Sequence, residues 1–140
     1  MKPALKITLD DSRLRAFPDR LRKRGKKLVQ KTTKNIAGRM KVRIQHGPKT
    51  GRIYVHNGIP HQASAPGQAP ATDMGELVNS IDTSDGGELR EFVNVHAEYG
   101  AYPEFGTSKM ASRPYMRPSF EDERKNFEDG VSRLIGEARR

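Results

Sequence analysis

Ala97-Glu-Tyr-Gly-Ala-Tyr-Pro-Glu-Phe-Gly-Thr-Ser-Lys-Met-Ala-Ser-Arg-Pro-Tyr-Met-Arg-Pro-Ser-Phe120 holds five of the nine aromatic residues of this chain: Tyr99, Tyr102, Phe105, Tyr115 and Phe120. Two glycines and three prolines interrupt them, and the acid Glu104 is set between apolar neighbours. Gly106, directly after Phe105, reads as a stop or a turn with positive φ. Each of the steps Arg113-Pro114 and Arg117-Pro118 disfavours helical backbone at the residue before the proline. The stretch therefore reads as an aromatic, irregular segment with fixed bends, serving either as the core clasp of a small domain or as a contact surface. Tyr99, Phe105 and Tyr115 are expected to pack onto a sheet. Glu104 is expected to be held by backbone N–H groups or by an arginine, with Arg113 the candidate. Residues 106–118, framed by Pro114 and Pro118, are then presented as a rigid turn.

Working outward, residues 119–140 form an amphipathic helix whose stripe is Phe120, Phe127, Val131, Leu134, Ile135 and Ala138. Glu121, Asp122 and Glu123 near its start, and Arg139 and Arg140 at its end, suit a helix dipole. On the other side, residues 77–83 and 89–97 read as a strand pair around Asp85-Gly86-Gly87, a β-hairpin over 77–97. In its second strand Leu89, Glu91, Val93, Val95 and Ala97 share one face, with Arg90, Phe92, Asn94 and His96 on the other. Asp73 with Glu76 matches a capping box opening a short helical turn. Residues 59–72 are rich in Pro, Ala, Gly and Ser without periodicity and read as a long loop, a kind of segment that is usually functional or mobile. Residues 50–56 read as a strand closed by the turn Asn57-Gly58.

From residue 19 to 46 the pattern is helical. Leu21, Leu28, Val29, Thr32, Ile36, Met40 and Ile44 form one apolar stripe with basic residues between them. Such a helix is about 40 Å long. Gly25 and Gly38 weaken it, and Gly47-Pro48 ends it. Residues 1–18 are an extension carrying a short strand over 6–9 and a helix cap at Asp10-Asp11-Ser12 ahead of Arg13. The fold class is α+β: a long N-terminal basic helix and a C-terminal helix packed on a small antiparallel β-sheet.

The chain has 140 residues, no cysteine and a formal net charge of +9. Its length suits one domain with a modest core, and the lack of cysteine excludes a disulfide framework or thiolate metal site. No apolar run approaches the roughly 20 residues of a membrane span, and the first residues lack the apolar stretch of a signal peptide. The expectation is a soluble protein made in a cytoplasm, without membrane contact. Charge is uneven: residues 1–52 hold 17 Lys or Arg against 3 acids, leaving 9 against 14 for residues 53–140. The basic half could bind nucleic acid, or pack against the acidic half within one subunit or between neighbours. Candidate contacts with DNA or an acidic partner are Arg20, Arg22, Lys23, Arg24, Lys26, Lys27, Lys31 and Lys34. No helix-turn-helix or zinc-finger pattern accompanies them, so sequence-specific readout is not expected.

Enzyme chemistry leaves no pattern. His46, His56, His61 and His96 lack metal-ligand spacing with carboxylates. Ser64 is not in a nucleophile elbow, and residues 58–67 lack the Lys-Ser/Thr pair of a phosphate loop. Glu104 among apolar neighbours admits an acid–base reading, but the hydrogen-bonded carboxylate is the commoner explanation. The expectation is no catalytic residue, no metal and no cofactor.

Tyr-x-x-Tyr-x-Glu-Phe-Gly-Thr-Ser-Lys-Met-x-x-Arg-Pro-Tyr-x-Arg-Pro, over residues 99–118, resembles the gene-product-ten-like family of head–tail joining, or tail-completion, proteins in the neck of long-tailed bacteriophages. In that family a Glu-Phe-Gly-Thr signature precedes an Arg-Pro-Phe or Ala-x-Pro-Phe turn and a C-terminal helix. The block Ala63-Ser-Ala-Pro-Gly-Gln-Ala-Pro-Ala-Thr-Asp-Met-Gly-Glu-Leu77 is similar to the family's other hallmark loop. The resemblance covers most of the chain from about Leu21 onward; Pro103 departs from the β-branched residue expected there. It implies a structural, non-enzymatic virion component of the neck, assembled in the host cytoplasm, completing the tail so that tail and head dock. It further implies self-association into a ring of about six copies around the DNA channel, closed by heterologous contacts. The implied partners are neck and tail-tube proteins and packaged DNA. Candidate subunit or partner contacts are Ser64, Pro66, Gly67, Pro70, Gly106, Thr107, Ser108, Lys109, Arg113 and Arg117. The alternative is a non-specific nucleic-acid-binding protein using residues 20–43, with a small nuclease third.

Overall fold

The computed structural model describes residues 2–10, 16–71 and 75–139. In chain order the elements are β1 (Leu5–Asp10), α1 (Asp19–His46), β2 (Ile53–His56), β3 (Ile59–Gln62), α2 (Glu76–Asn79), β4 (Ile81–Asp85), β5 (Arg90–Val95), a 3₁₀ turn (Glu98–Gly100), α3 (Ala101–Phe105) and α4 (Met116–Ala138). The architecture is α+β: a long N-terminal helix and a C-terminal helix with a small antiparallel sheet.

The sheet has the order β1-β5-β4, so β5 is paired on both sides. Leu5 faces Val95 and Asp10 faces Arg90 along one ladder, while Ile81 faces Val95 and Asp85 faces Glu91 along the other. Alternation along β5 buries Glu91, Val93 and Val95 towards the helical layer. Against them α1 places Ile36, Ala37, Met40 and Ile44, with Leu77, Val78, Ile81, Tyr115 and Met116 completing the cluster. Each fully buried aliphatic among these contributes about 1.5–3 kcal/mol of transfer energy. A second, smaller cluster of Leu21, Leu89 and Leu134, with Phe17 and Leu28 against it, lies at the other end of α1. The face carrying Phe92 is half covered: the Lys6 ammonium lies 4.1 Å from the Phe92 ring centroid, and Asn94 donates to Asp82 and Ser84.

The basic helix packs on the acidic one within the chain. Arg24 pairs with Glu137, Arg39 with Glu123 at 2.7 Å, and Arg43 with Asp122, in the order that antiparallel helices require. Glu123 is buried, so its bonds from Arg39 Nε and Asn35 carry more weight than exposed pairs, whose median worth is about 0–1 kcal/mol. At the other end of α1, Arg22 reaches Glu88 and Lys26 reaches Asp85. The C-terminal carbonyl of Arg43 accepts from Gly47 N and from Lys49 Nζ, and burial pulls the Lys49 ammonium below its ordinary pKa.

Four local expectations need correction. The 59–72 segment is not a loop throughout: Ile59–Gln62 is β3, paired with β2 so that Val55 faces Pro60 and His56 faces Ile59. Pro60 argued against a strand, but a two-stranded ribbon has only edges and tolerates it. Asn57 (φ 51°) and Gly58 (φ 77°) are both left-handed, as a two-residue hairpin requires. Residues 76–79 are helical, not extended, so β4 begins at Ile81. Leu5–Asp10 is an edge strand of the main sheet rather than part of an extension. The last helix starts at Met116, with Arg117 and Pro118 inside its first turn, where a missing amide hydrogen breaks no intrahelical bond. Glu121, Asp122 and Glu123 therefore lie beyond that turn. The caps expected from Asp11, Ser12 and Asp73 lie outside the described residues.

A methyl group separates tight from open backbone. A Cβ at Gly100 would stand 2.7 Å from Val95 Cγ1 and 3.1 Å from the Tyr115 hydroxyl, whereas one at Gly38 meets nothing within 4 Å. In urea titrations Gly100→Ala is expected to lose about 1–3 kcal/mol. Gly38→Ala, in the interior of α1, is expected to gain up to about 1 kcal/mol. Equal effects of the two would contradict the packing described.

Candidate functional site

The aromatic stretch is tied together by a carboxylate. The 3₁₀ turn leads into α3, a single turn that directs Pro103 and Glu104 inward. Glu104 Oε2 accepts from the amides of Tyr115 (2.8 Å) and Met116 (2.9 Å), and Oε1 from that of Arg117 (2.8 Å). These amides start α4 and have no intrahelical acceptor, and the negative charge also suits the positive end of the helix dipole. Around this bond the Tyr115 hydroxyl donates to Gly100 O at 2.8 Å, Ser119 Oγ to Tyr115 O at 2.6 Å, and Arg113 N to Pro103 O at 2.6 Å. Burial pushes the Tyr115 phenol well above its ordinary pKa, with the Glu104 charge adding to the effect.

Between the stitched arms, residues 106–112 project outward. Gly106 has φ 74°, and a Cβ there would meet Met110 O and Ser112 N at 2.9 Å. Thr107 N donates to Met110 O at 2.8 Å, closing a tight turn with Ser108 and Lys109 at its tip. Thr107, Ser108, Lys109 and Arg117 are exposed and Gly106 and Arg113 partly so. The second loop meets this turn: Gly67 N donates to Ser112 O at 3.0 Å. That loop is clipped by Gln68, whose Oε1 accepts from Thr50 N (3.0 Å) and Ala65 N (2.8 Å) while Nε2 donates to Thr50 Oγ1 (2.9 Å).

Several sequence-predicted residues land elsewhere. Arg113 does not hold Glu104; its Nε is buried without a hydrogen-bond partner among the described residues, as is Ser64 Oγ. Phe105 is 73% exposed and Tyr99 38% exposed, so of the three aromatics expected in the core only Tyr115 is there. The cause is the helical turn: with Pro103 and Glu104 inside, Tyr102 and Phe105, three apart, share the outer side. Pro114 and Pro118 are partly buried beside Tyr115 in the sequence. Ser64 (2% exposed) and Pro70 are buried in the chain's own fold and offer no surface, whereas Pro66 and Gly67 do.

The sequence reading missed a surface. On one side of the β2–β3 hairpin Ile53, Val55 and Pro60 point the same way, and Val55 is 68% exposed; Ile59 is exposed on the other side. Alternation in Ile-Tyr-Val-His with a following Asn-Gly was the available signal. Tyr102 and Phe105, on α3, are further exposed apolar side chains. Of the basic candidates, Arg22, Arg24 and Lys26 are ion-paired within the chain. Arg20, Lys23, Lys27, Lys31 and Lys34 are exposed and form no salt bridge among the described residues, with Lys23 close to Asp19.

Among the described residues no group of three or more His, Asp or Glu could hold a metal, and no helix is long and apolar enough to cross a membrane. His61 stacks on Tyr54 and lies edge-on to His56; His96 pairs with Asp82 at 2.9 Å. The class defined is an α+β scaffold presenting a stitched turn, a hairpin and a charged helix. Compared with known proteins, the chain matches no family model, no curated sequence and no solved structure at a significant level.

The stitch can be tested at three residues. Glu104→Ala leaves three helix-start amides without their acceptor and is expected to lose at least about 2 kcal/mol in urea titrations, with Glu104→Gln in between. Phe105→Ala, at an exposed site, is expected to change stability by less than about 0.5 kcal/mol. Tyr115 gives a pH signature. Its phenol stays neutral in the fold above the unfolded value of about 10, so its contribution is intact below that pH and is lost as pH rises further. Tyr115→Phe should cost about 1 kcal/mol at neutral pH and then fall less steeply above about pH 10.

Proposed function

We propose that this protein is a structural component of a bacteriophage neck, completing the tail and joining it to the head as a ring of identical subunits. The observation that carries the reading is the Gly67 N to Ser112 O hydrogen bond, which puts the two sequence blocks resembling that family side by side on one surface. In the resemblance these blocks are separate hallmarks. In the fold they make one platform: Pro66 and Gly67 beside the turn 106–112, with Phe105 and Tyr102 at its margin.

A ring needs two unlike faces on every subunit, because a heterologous contact joins one patch to a different patch of the neighbour. The apolar side of the β2–β3 hairpin and the outer side of α3 are two such patches. A two-stranded hairpin is marginal by itself in water, which favours a covered state for its apolar side. The remaining partners in this reading are neck and tail-tube proteins, and the role requires no turnover, metal or cofactor.

Two experiments test it. Labelled antibody against the protein, applied to purified particles from the genome that encodes it, should mark the head–tail junction in electron micrographs; its absence from particles would overturn the assignment. In purified protein, light scattering over a concentration series should give a closed oligomer of fixed mass. Val55→Lys and Phe105→Lys should each shift it to monomer with the melting temperature kept within a few degrees, since both sites are exposed.

A further inference from the structure

The helix α1 sorts its cations by direction. At about 100° per residue, Arg20, Lys23, Lys27, Lys31, Lys34 and Lys41 fall within about 80° of arc, opposite the buried row Leu21, Val29, Ile36 and Met40. The first five are exposed and Lys41 is partly buried; none forms a salt bridge among the described residues, although Lys23 lies near Asp19, whose carboxyl Arg22 and, to a lesser degree, Lys23 hold below the ordinary pKa. The arginines that look towards α4 are all neutralised, by Glu137, Glu123 and Asp122. Six cations without a salt bridge thus share one outward line of α1. Gly38 lies on the same arc with nothing within 4 Å of a Cβ position, so no side chain stands off a partner there. Of the acids beside that line, Asp122 is engaged by Arg43 and Arg39 and Asp82 by His96 and Asn94, while Asp129 shares a surface groove with Lys31.

We propose that this line is a track for the phosphate backbone of duplex DNA, bound without regard to base sequence. From Arg20 to Lys41 it runs about 32 Å, close to one duplex turn of about 34 Å. Duplex DNA offers one negative charge per about 1.7 Å of axis, dense enough to meet every cation on the line. Asn35 and the partly buried glutamine at position 30 flank it, and no aromatic side chain of α1 is available to stack on an unpaired base. An anionic membrane fits less well: a helix lying on a bilayer inserts an apolar face, and the apolar face of α1 is consumed by the core, leaving Val42 alone exposed. The inference rests on the charge pattern of one subunit and does not require the proposed ring.

The test is fluorescence anisotropy with a labelled random-sequence duplex of about 30 base pairs, in a sodium chloride series, with the protein's mass measured in the same samples. Six contacts predict a slope of log K against log salt near −5. Lys27→Ala/Lys31→Ala/Lys34→Ala should flatten it by nearly three and weaken binding at least about tenfold at about 0.1 M salt. Lys2→Ala/Arg52→Ala/Lys125→Ala removes the same charge elsewhere on the exposed surface and should weaken binding by less than about threefold. Equal losses in the two triple variants would overturn the proposal, because net charge alone would then be responsible. So would no duplex binding at low salt, or capture by phosphatidylserine vesicles in preference to duplex. The mass measurement separates these outcomes from a failure to form rings.

Discussion

A carboxylate with no salt-bridge partner among the described residues sits at the centre of this fold. Glu104 is buried, and a buried charge is tolerated only when its oxygens are fully engaged. Three amides at the start of α4 do this at 2.8–2.9 Å, and charge-assisted bonds of that length are about twice as strong as neutral ones. Because those amides belong to a 23-residue helix, one side chain sets where that helix begins and how it leaves the sheet. Tyr115, held through its hydroxyl to Gly100 O, fixes the same junction from the apolar side. The turn over residues 106–112 is what remains when the chain on either side of it is pinned. Its outward presentation is a consequence of the stitch rather than of any rigidity of its own.

The position of α4 then decides the electrostatics of α1. Once α4 lies antiparallel along it, Asp122, Glu123 and Glu137 face one side of α1, and that side carries Arg24, Arg39 and Arg43. On the outward side every cation but Arg20 is a lysine. The division has a physical sense. A planar guanidinium, weakly hydrated and forked, suits the partly buried pairing with Glu123, while the strongly hydrated ammonium suits a face left in water or against a solvated polyanion. One helix thus serves the core, the intramolecular ion pairs and an open cationic surface through three different arcs.

Elements with long periodicity were legible in the sequence. α1 matches residues 19–46 because its apolar row repeats for seven turns, and β5 shows the alternation that puts Glu91, Val93 and Val95 inside. Short elements were not. Residues 76–79 and 101–105 make single turns, too brief for a period, and β3 carries a proline that argues against a strand until the ribbon is seen to have only edges. Glu104 was legible as a carboxylate with backbone partners, but the donors lie 11–13 residues away in a helix whose start was placed late. The misplacement of Phe105 has the same origin. Aromatic identity favours burial on average, yet the direction of a side chain on a one-turn helix is set by its strongest neighbour, and here the charge of Glu104 claims the inside.

That reversal bears on what the exposed apolar side chains do. A phenylalanine driven outward by a buried carboxylate costs no stability to replace, so stability gives no reason for an aromatic there. The same holds for Val55 and Ile53, whose side of the hairpin touches no core cluster. Scattered exposed apolar residues need no explanation, but these fall into two groups on elements with fixed backbones. Each group lies beside a clip that spends polar groups on local geometry: Gln68 at the hairpin base, and Thr107 with Met110 in the turn. A surface held in shape at such expense, and not used by the chain that makes it, suits contact with another molecule. Two unlike surfaces of that kind on one subunit suit the head-to-tail geometry of the proposed ring better than the single self-complementary patch of a two-fold dimer.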